Sequence, residues 1–116
     1  MRDAKPIRWM GSSLENLRGF PEEARREAGA DLRRVQRGDD PLDWKTFEQI
    51  GSGTREIRIR SIDGAFRVLY VAKFDEAVYV LHCFDKKSRK TSPRDVAMGK
   101  RRYNAMLQER RDMNHD

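Results

Sequence analysis

The sequence predicts a single α+β domain with an antiparallel sheet that is covered by helices on one face. Three observations support this prediction. The chain has 116 residues, a length that suits one domain. Apolar residues recur at helical spacing in the first third, whereas apolar and polar residues alternate after residue 54. The predicted order is β-α-α-β-β-β-α over residues 1–116, with residues 112–116 as a frayed tail.

Three elements are predicted before residue 39. A short strand covers Lys5–Met10. Ser12 is a candidate N-cap for a first helix, because an acidic residue follows in its first turn. Pro21 suits the start of a second helix, which Gly38 ends. The second helix is predicted to bury one face, made of residues spaced by four, four and three: Ala24, Ala28, Leu32 and Val35.

Residues Asp39–Gly53 are predicted to be a connector, because proline and glycine interrupt the segment. The period then becomes alternating, which indicates strands. Asp63-Gly64 is a typical hairpin turn. The sequence therefore predicts a three-stranded antiparallel meander over residues 54–84.

A final helix is predicted after the sheet. Ser92 is its candidate N-cap and Pro93 suits its first position. The helix is expected to end near Arg110. On the last strand His82 and Cys83 are neighbours, so they point to opposite faces of the sheet and cannot easily pair.

The composition excludes several classes of protein. No stretch of about 18 uncharged apolar residues predicts a membrane span, and the N-terminus lacks the apolar region of a signal peptide. A single cysteine, Cys83, excludes an intramolecular disulfide framework and fits a reducing cytosol. With only two histidines, no metal site is expected. The motifs of phosphate-binding nucleotide folds are absent.

The positive charge is concentrated in one segment. The net charge is +6, and all of this excess lies in residues 51–116. Residues 86–102 hold eight basic side chains and one acidic side chain, Asp95. Such a segment favours a phosphate backbone, although a solvated surface is the alternative interpretation.

Arg67 interrupts an otherwise apolar central strand. A buried guanidinium is costly without an anionic partner. Arg67 is therefore expected to meet either an internal carboxylate, such as Glu56, or a bound phosphate.

If the phosphate backbone favoured by the basic segment belongs to RNA, its cleavage without a metal requires three things of a site. The 2′-OH proton must be accepted, the extra negative charge must be stabilised, and the leaving 5′-oxygen must be protonated. Clustered arginine and lysine side chains supply the second requirement. A lysine or histidine with a lowered pKa suits a proton transfer.

Several short motifs follow one another along the sheet. They are Glu56-Ile57-Arg58, Phe66-Arg67-Val68-Leu69-Tyr70, Leu81-His82-Cys83-Phe84 and Lys86-Lys87-Ser88-Arg89-Lys90-Thr91. Taken together, the motifs resemble the RelE/ParE superfamily of bacterial toxins, and most of all its HigB-like, phage-derived branch. The resemblance covers residues 54–105 closely, and the earlier elements agree in order.

The resemblance implies a RelE-like fold and the toxin of a type II toxin-antitoxin system. Such a toxin is cytoplasmic and is neutralised by a cognate antitoxin, usually a HigA-like helix-turn-helix protein, which alone contacts operator DNA. RelE-like members cleave mRNA on the ribosome without metal or cofactor. Two alternatives stay open, because the fold does not decide function. One is a ParE-like inhibitor of DNA gyrase, and the other is a non-catalytic nucleic-acid-binding module.

The resemblance also implies roles for individual residues. Arg67 and Lys87 match catalytic positions near the scissile phosphate. Several RelE-like toxins have a catalytic tyrosine after the basic residue, and this chain has none in residues 88–95. His82 is therefore the substitute candidate for the general base. Further contacts to mRNA or ribosomal RNA are expected from Arg58, Arg60, Lys86, Arg89 and Lys90.

Overall fold

The computed structural model describes residues 4–114, which form one five-stranded sheet with three helices. The elements in chain order are β1 (Ile7–Trp9), α1 (Ser13–Arg18), α2 (Glu22–Gln36), β2 (Trp44–Thr46), β3 (Thr54–Ser61), β4 (Gly64–Val71), β5 (Val78–Asp85) and α3 (Pro93–Met113). The strand order across the sheet is β1-β5-β4-β3-β2. The predicted α+β class is confirmed.

The predicted meander is present as β3, β4 and β5. Gly64, the first residue of β4, follows the turn and takes a φ of 134°, a conformation that favours glycine. In the register of this hairpin Arg58 lies opposite Arg67. The pairing of β4 with β5 shifts between Leu69 and Tyr70, as a β-bulge does.

The predicted connector contains a strand that the sequence analysis missed. β2 pairs antiparallel with β3, and Trp44 lies opposite Ile57. The Arg55 guanidinium sits 4.1 Å from the centre of the Trp44 ring, a cation–π contact. The prediction of a wholly antiparallel sheet is also wrong for β1, which pairs parallel to β5. The sheet is therefore mostly antiparallel.

Helices lie on both faces of the sheet, whereas the sequence predicted helices on one. Alternate residues of a strand point to opposite faces. Val68 and Tyr70 of β4 pack with α1 and α2 in one core cluster, which we call the first face. Leu69 and Val71 pack with Tyr103 of α3 in a second cluster, on the second face. α3 lies chiefly over β5.

The predicted face of α2 is correct, because Ala24, Ala28, Leu32 and Val35 are all buried. The two predicted N-caps differ in outcome. The Ser92 hydroxyl accepts a hydrogen bond from the Asp95 N–H at 3.1 Å, which confirms the start of α3. The Ser12 hydroxyl makes no such bond, because it accepts one from Arg102 at 2.9 Å.

The prediction of a frayed tail from residue 112 is wrong at its start, because Asp112 and Met113 still belong to α3. Residues 115–116 of that predicted tail lie outside the described residues. So do residues 1–3, at the N-terminus for which no signal peptide was predicted. Within residues 4–114, no helix is both long enough and apolar enough to cross a membrane.

Candidate functional site

The segment after β5, residues 86–91, carries four cationic side chains, and we call it the basic loop. Its start is fixed to the sheet, since the Lys86 N–H donates to the Ala65 carbonyl at 2.8 Å. The Lys86 side chain is half-buried, whereas that of Lys87 is 83% exposed and lies 3.9 Å from the Asp85 carboxylate. Lys86 and Lys90 line clefts on both sides of the loop. The basic loop therefore forms a shared wall between two clefts.

The first of these, the His82 cleft, has a volume of about 490 Å³. It lies between the basic loop, the N-terminal end of α3 and the start of α1. Its cationic lining comprises Lys86, Lys87, Lys90, Arg94 and Arg102, and its carboxylates are Asp85 and Asp95. The sequence-predicted residues His82, Lys86, Lys87 and Lys90 are thus brought together here.

Both ring nitrogens of His82 are occupied. Nε2 lies 2.8 Å from an Asp95 oxygen, and Nδ1 lies 3.4 Å from the Arg102 guanidinium. Because the guanidinium can only donate, Nδ1 accepts and Nε2 carries the proton. Burial lowers the pKa of His82, against the opposing effect of Asp95. The role of His82 as general base stays a prediction, and it requires one of these two contacts to be released.

Arg102 is a residue that the sequence analysis missed. Its guanidinium is buried and donates to the Leu81 carbonyl at 3.1 Å and to the Ser12 hydroxyl at 2.9 Å. No ion pair in residues 4–114 involves Arg102, and burial lowers its pKa. Arg102 lies three residues after Gly99 and four before Met106, which places it on the buried face of α3. This helical spacing is the sequence pattern from which its burial could have been predicted. Arg102 therefore joins α1, β5 and α3 beside His82.

Arg67 meets the internal carboxylate, one of the two partners that the sequence left open. Its Nε lies 3.7 Å from Glu56 Oε1, and the two side chains are 4% and 1% exposed. Its Nη1 donates to the Phe66 carbonyl at 3.0 Å. Burial lowers the pKa of Arg67, and Glu56 opposes this effect. The contact between Arg67 and a scissile phosphate stays a prediction.

The strand arginines form a separate group. Arg58 and Arg60 share the second face with Arg67, because Arg58 lies opposite Arg67 and strand residues alternate between faces. Arg58 is half-buried and Arg60 is exposed. None of these three arginines lines either cleft beside the basic loop. The structure therefore divides the predicted site into a strand group and a loop group.

The second cleft, which we call the β2 cleft, has a volume of about 830 Å³. Residues 45–49 form one wall, and the basic loop and the start of α3 form the other. Its charged lining comprises Lys45, Glu48, Glu56, Lys86, Arg89, Lys90 and Lys100. The pKa of Lys86 is lowered, first by burial and then by the positive charge of Arg67. Lys86 thus combines a half-buried side chain with a lowered pKa, next to Lys87, which the resemblance placed at the catalytic position.

The described residues offer no evident metal site. Among residues 4–114, no three His, Cys, Asp or Glu side chains gather in a group suited to hold a metal ion. Cys83 is buried on the opposite face from His82, as predicted, and burial raises the pKa of its thiol.

Comparison with known proteins identifies a family. A family model described as Phage derived protein Gp49-like (DUF891) matches residues 15–104. The matched segment runs from α1 into α3 and includes the basic loop, the Arg67–Glu56 pair and His82. No curated protein matches the chain. Because the match covers well over half of the sequence, the chain belongs to the phage-derived Gp49-like family, a RelE-like and toxin-like family.

Proposed function

We propose that this chain is the toxin of a type II toxin-antitoxin system and that it cleaves mRNA on the ribosome without a metal ion. The observation that carries the proposal is the basic loop, which lines two clefts with cationic side chains. Membership of a toxin-like family supports it. The proposed partners are the ribosome, mRNA and a cognate HigA-like antitoxin in the cytoplasm.

The proposed reaction takes place in the His82 cleft. The 2′-oxygen of a ribose attacks the adjacent phosphorus, the bond from phosphorus to the 5′-oxygen breaks, and a 2′,3′-cyclic phosphate and a 5′-OH result. Lys87 and Lys90 stabilise the extra negative charge. Lys86 donates the proton to the leaving oxygen, because a lysine with a lowered pKa is a better acid at neutral pH.

Two carboxylates line the His82 cleft, and one of them is the proposed acceptor of the 2′-OH proton. Both oxygens of Asp95 are bound, one by His82 and one by the Ser92 hydroxyl, each at 2.8 Å. Asp85 is 44% exposed and lies 3.9 Å from Lys87. We therefore propose that the Asp85 carboxylate accepts the 2′-OH proton. His82 is proposed to be a positioning residue that holds Asp95. Arg58, Arg60 and Arg89 are proposed to hold RNA further from the reacting linkage.

The experiment is to induce the chain in a bacterial host and to map the 5′ ends of transcripts. Lys86→Ala and Lys87→Ala are compared with Arg26→Ala, an exposed arginine on α2 that pairs with Glu22. Wild type and Arg26→Ala should arrest growth and produce new 5′-OH ends, whereas Lys86→Ala should not. The purified chain should cleave mRNA only when ribosomes are added.

Two outcomes contradict the proposal. Cleavage at wild-type level by folded Lys86→Ala and Lys87→Ala variants removes the basic loop from the reaction. Intact transcripts together with supercoiling defects identify a ParE-like gyrase inhibitor instead.

A further inference from the structure

We propose that the β2 cleft binds a single base of the RNA chain and that Glu56 selects a base with two adjacent N–H donors, as guanine presents. This inference rests on the proposed function and deepens it by naming a specificity site. One wall of the β2 cleft is formed by residues 45–49, which include the end of β2 and the turn after it.

The lining of the β2 cleft combines two kinds of surface. Apolar surface comes from both walls, from Phe47 on one and from Val96 and Ala97 of α3 on the other. Lys45 and Lys100 are exposed cations at the same cleft. A nucleotide carries flat apolar base faces next to a phosphate, so it matches both surfaces, and single-stranded RNA is commonly bound by stacking its bases on aromatic rings.

Glu56 is a buried acceptor that lacks a donor. Both carboxylate oxygens are shielded from solvent, and neither accepts a hydrogen bond from any residue in 4–114. The nearest cation, Arg67 Nε, is 3.7 Å away, which is too far for a hydrogen bond. Leaving a buried acceptor unbound is costly, so a ligand that supplies N–H groups gains from binding there.

The two oxygens of one carboxylate match two parallel N–H donors. Guanine offers such a pair on its Watson–Crick edge, at N1 and N2, whereas adenine offers one amino group beside an acceptor. Because the oxygens of Glu56 are shielded from solvent, binding of a base requires side chains of the cleft to move, and we assign this movement to the lysine side chains that line it. These side chains are long and flexible, and they then become available to the adjoining phosphates.

An acidic protein segment, such as part of an antitoxin, is the competing occupant. Its carboxylates would pair with the lysines of the cleft. They would also be brought towards the Glu56 carboxylate at the floor, and like charges in a poorly solvated site repel. The position of Glu56 therefore favours a base with N–H donors over an acidic peptide.

The test measures binding rather than cleavage. Short single-stranded RNAs with 2′-O-methyl riboses, identical except for guanine, inosine or adenine at one position, are titrated by fluorescence anisotropy. The guanine oligonucleotide should bind about tenfold more tightly than the adenine one, the order of discrimination that a bidentate contact gives. Inosine, which lacks the second donor, should fall between them.

Two variants locate the site. Glu56→Gln replaces one acceptor by a donor, so the preference for guanine should disappear. Because this change leaves Arg67 without its carboxylate, folding is checked by circular dichroism. Phe47→Leu avoids that problem and should weaken guanine and adenine binding alike, whereas Phe74→Leu, away from both clefts, should leave binding unchanged.

Three results overturn the inference. They are equal binding of guanine and adenine, a preference that survives in folded Glu56→Gln, and protection of the β2 cleft by an acidic antitoxin segment with no oligonucleotide binding. Transcript cleavage without base discrimination removes this inference and leaves the proposed function standing. Guanine-selective binding without cleavage on the ribosome supports the inference and removes the proposed function.

Discussion

The Nε atom of Arg67 and the Oε1 atom of Glu56 lie 3.7 Å apart on neighbouring strands, and both side chains are almost fully buried. Removing one member of such a pair leaves an uncompensated buried charge. Arg67→Met should therefore lower the free energy of unfolding by roughly 3–5 kcal/mol, whereas the double variant Glu56→Leu with Arg67→Met should recover most of this loss. Urea denaturation measures both values.

The double variant also separates stability from function. If Arg67 contacts the scissile phosphate, the double variant folds but no longer arrests growth. A double variant as unstable as Arg67→Met alone contradicts the pairing.

The stability of the chain should depend on pH through His82. Burial holds its pKa below the usual 6.5, so the unfolded chain binds the proton more readily than the folded chain does. The neutral His82 ring makes its full contribution to the free energy of unfolding above pH about 6.5. This contribution is lost as the pH falls through the pKa that His82 has in the folded chain. His82→Gln should reduce this slope when unfolding is measured by urea denaturation from pH 7.5 to 5. An unchanged slope in His82→Gln contradicts the assignment of a neutral, doubly bound ring.

A second pH effect should come from Glu76 at the turn before β5. Arg110 of α3 lies 2.6 Å from its carboxylate, the Tyr79 hydroxyl donates to it at 2.7 Å, and its pKa is lowered to about 2, chiefly by Arg110. The ionised Glu76 carboxylate therefore stabilises the folded chain above the ordinary carboxyl pKa of about 4.5, and this stabilisation is lost as the pH falls through about 2.

Glu76→Gln should lower the free energy of unfolding at pH 7 by about 1 kcal/mol, a modest value because water screens this partly exposed pair. The difference from wild type should shrink as the pH falls from about 4.5 through about 2, measured by thermal unfolding. Glu22→Gln, in the exposed Glu22–Arg26 pair of α2, is the control and should change little.

Two glycines should respond to alanine in opposite directions. A methyl group on Gly51 would come within 2.5 Å of three atoms of the Tyr103 ring. This rigid ring donates its hydroxyl hydrogen bond to the Ser52 carbonyl, so Gly51→Ala should lower the melting temperature.

Gly29 is the matched control inside α2. A methyl group there meets only the Arg33 guanidinium, at 3.5 Å, and alanine favours a helix by roughly 1 kcal/mol over glycine. Gly29→Ala should therefore raise the melting temperature. Equal effects of the two substitutions contradict the packing of Tyr103 against Gly51.

The strong periodicities of the sequence predicted most of the fold. Ile57 and Ile59 alternate with charged residues, and Ala24, Ala28, Leu32 and Val35 repeat at helical spacing, so local pattern and buried face agree. β2 has only three residues, and its existence depends on pairing with β3. β1 shows no sign in the sequence of running parallel to β5, because that partner is about 70 residues away.

The candidate site was predicted in part. Charge counting located the basic loop. The cost of burying a cation predicted an anionic partner for Arg67, either a carboxylate such as Glu56 or a phosphate, and the structure shows Glu56. The roles of Lys86 and Lys87 depend on side-chain burial, which spacing does not determine for adjacent residues in a loop. The bond between Arg102 and His82 joins two residues that are 20 positions apart in the sequence, so its geometry depended on the packing of α3.

The parallel pairing of β1 with β5 bears on how the chain is made. Ile7 is paired with Val78, and Trp9 with Val80, so the N-terminal strand has no neighbour until the C-terminal third has been synthesised. Contacts this distant in sequence form slowly. In a nascent chain β1 can therefore join the sheet only after β5 has left the ribosomal exit tunnel.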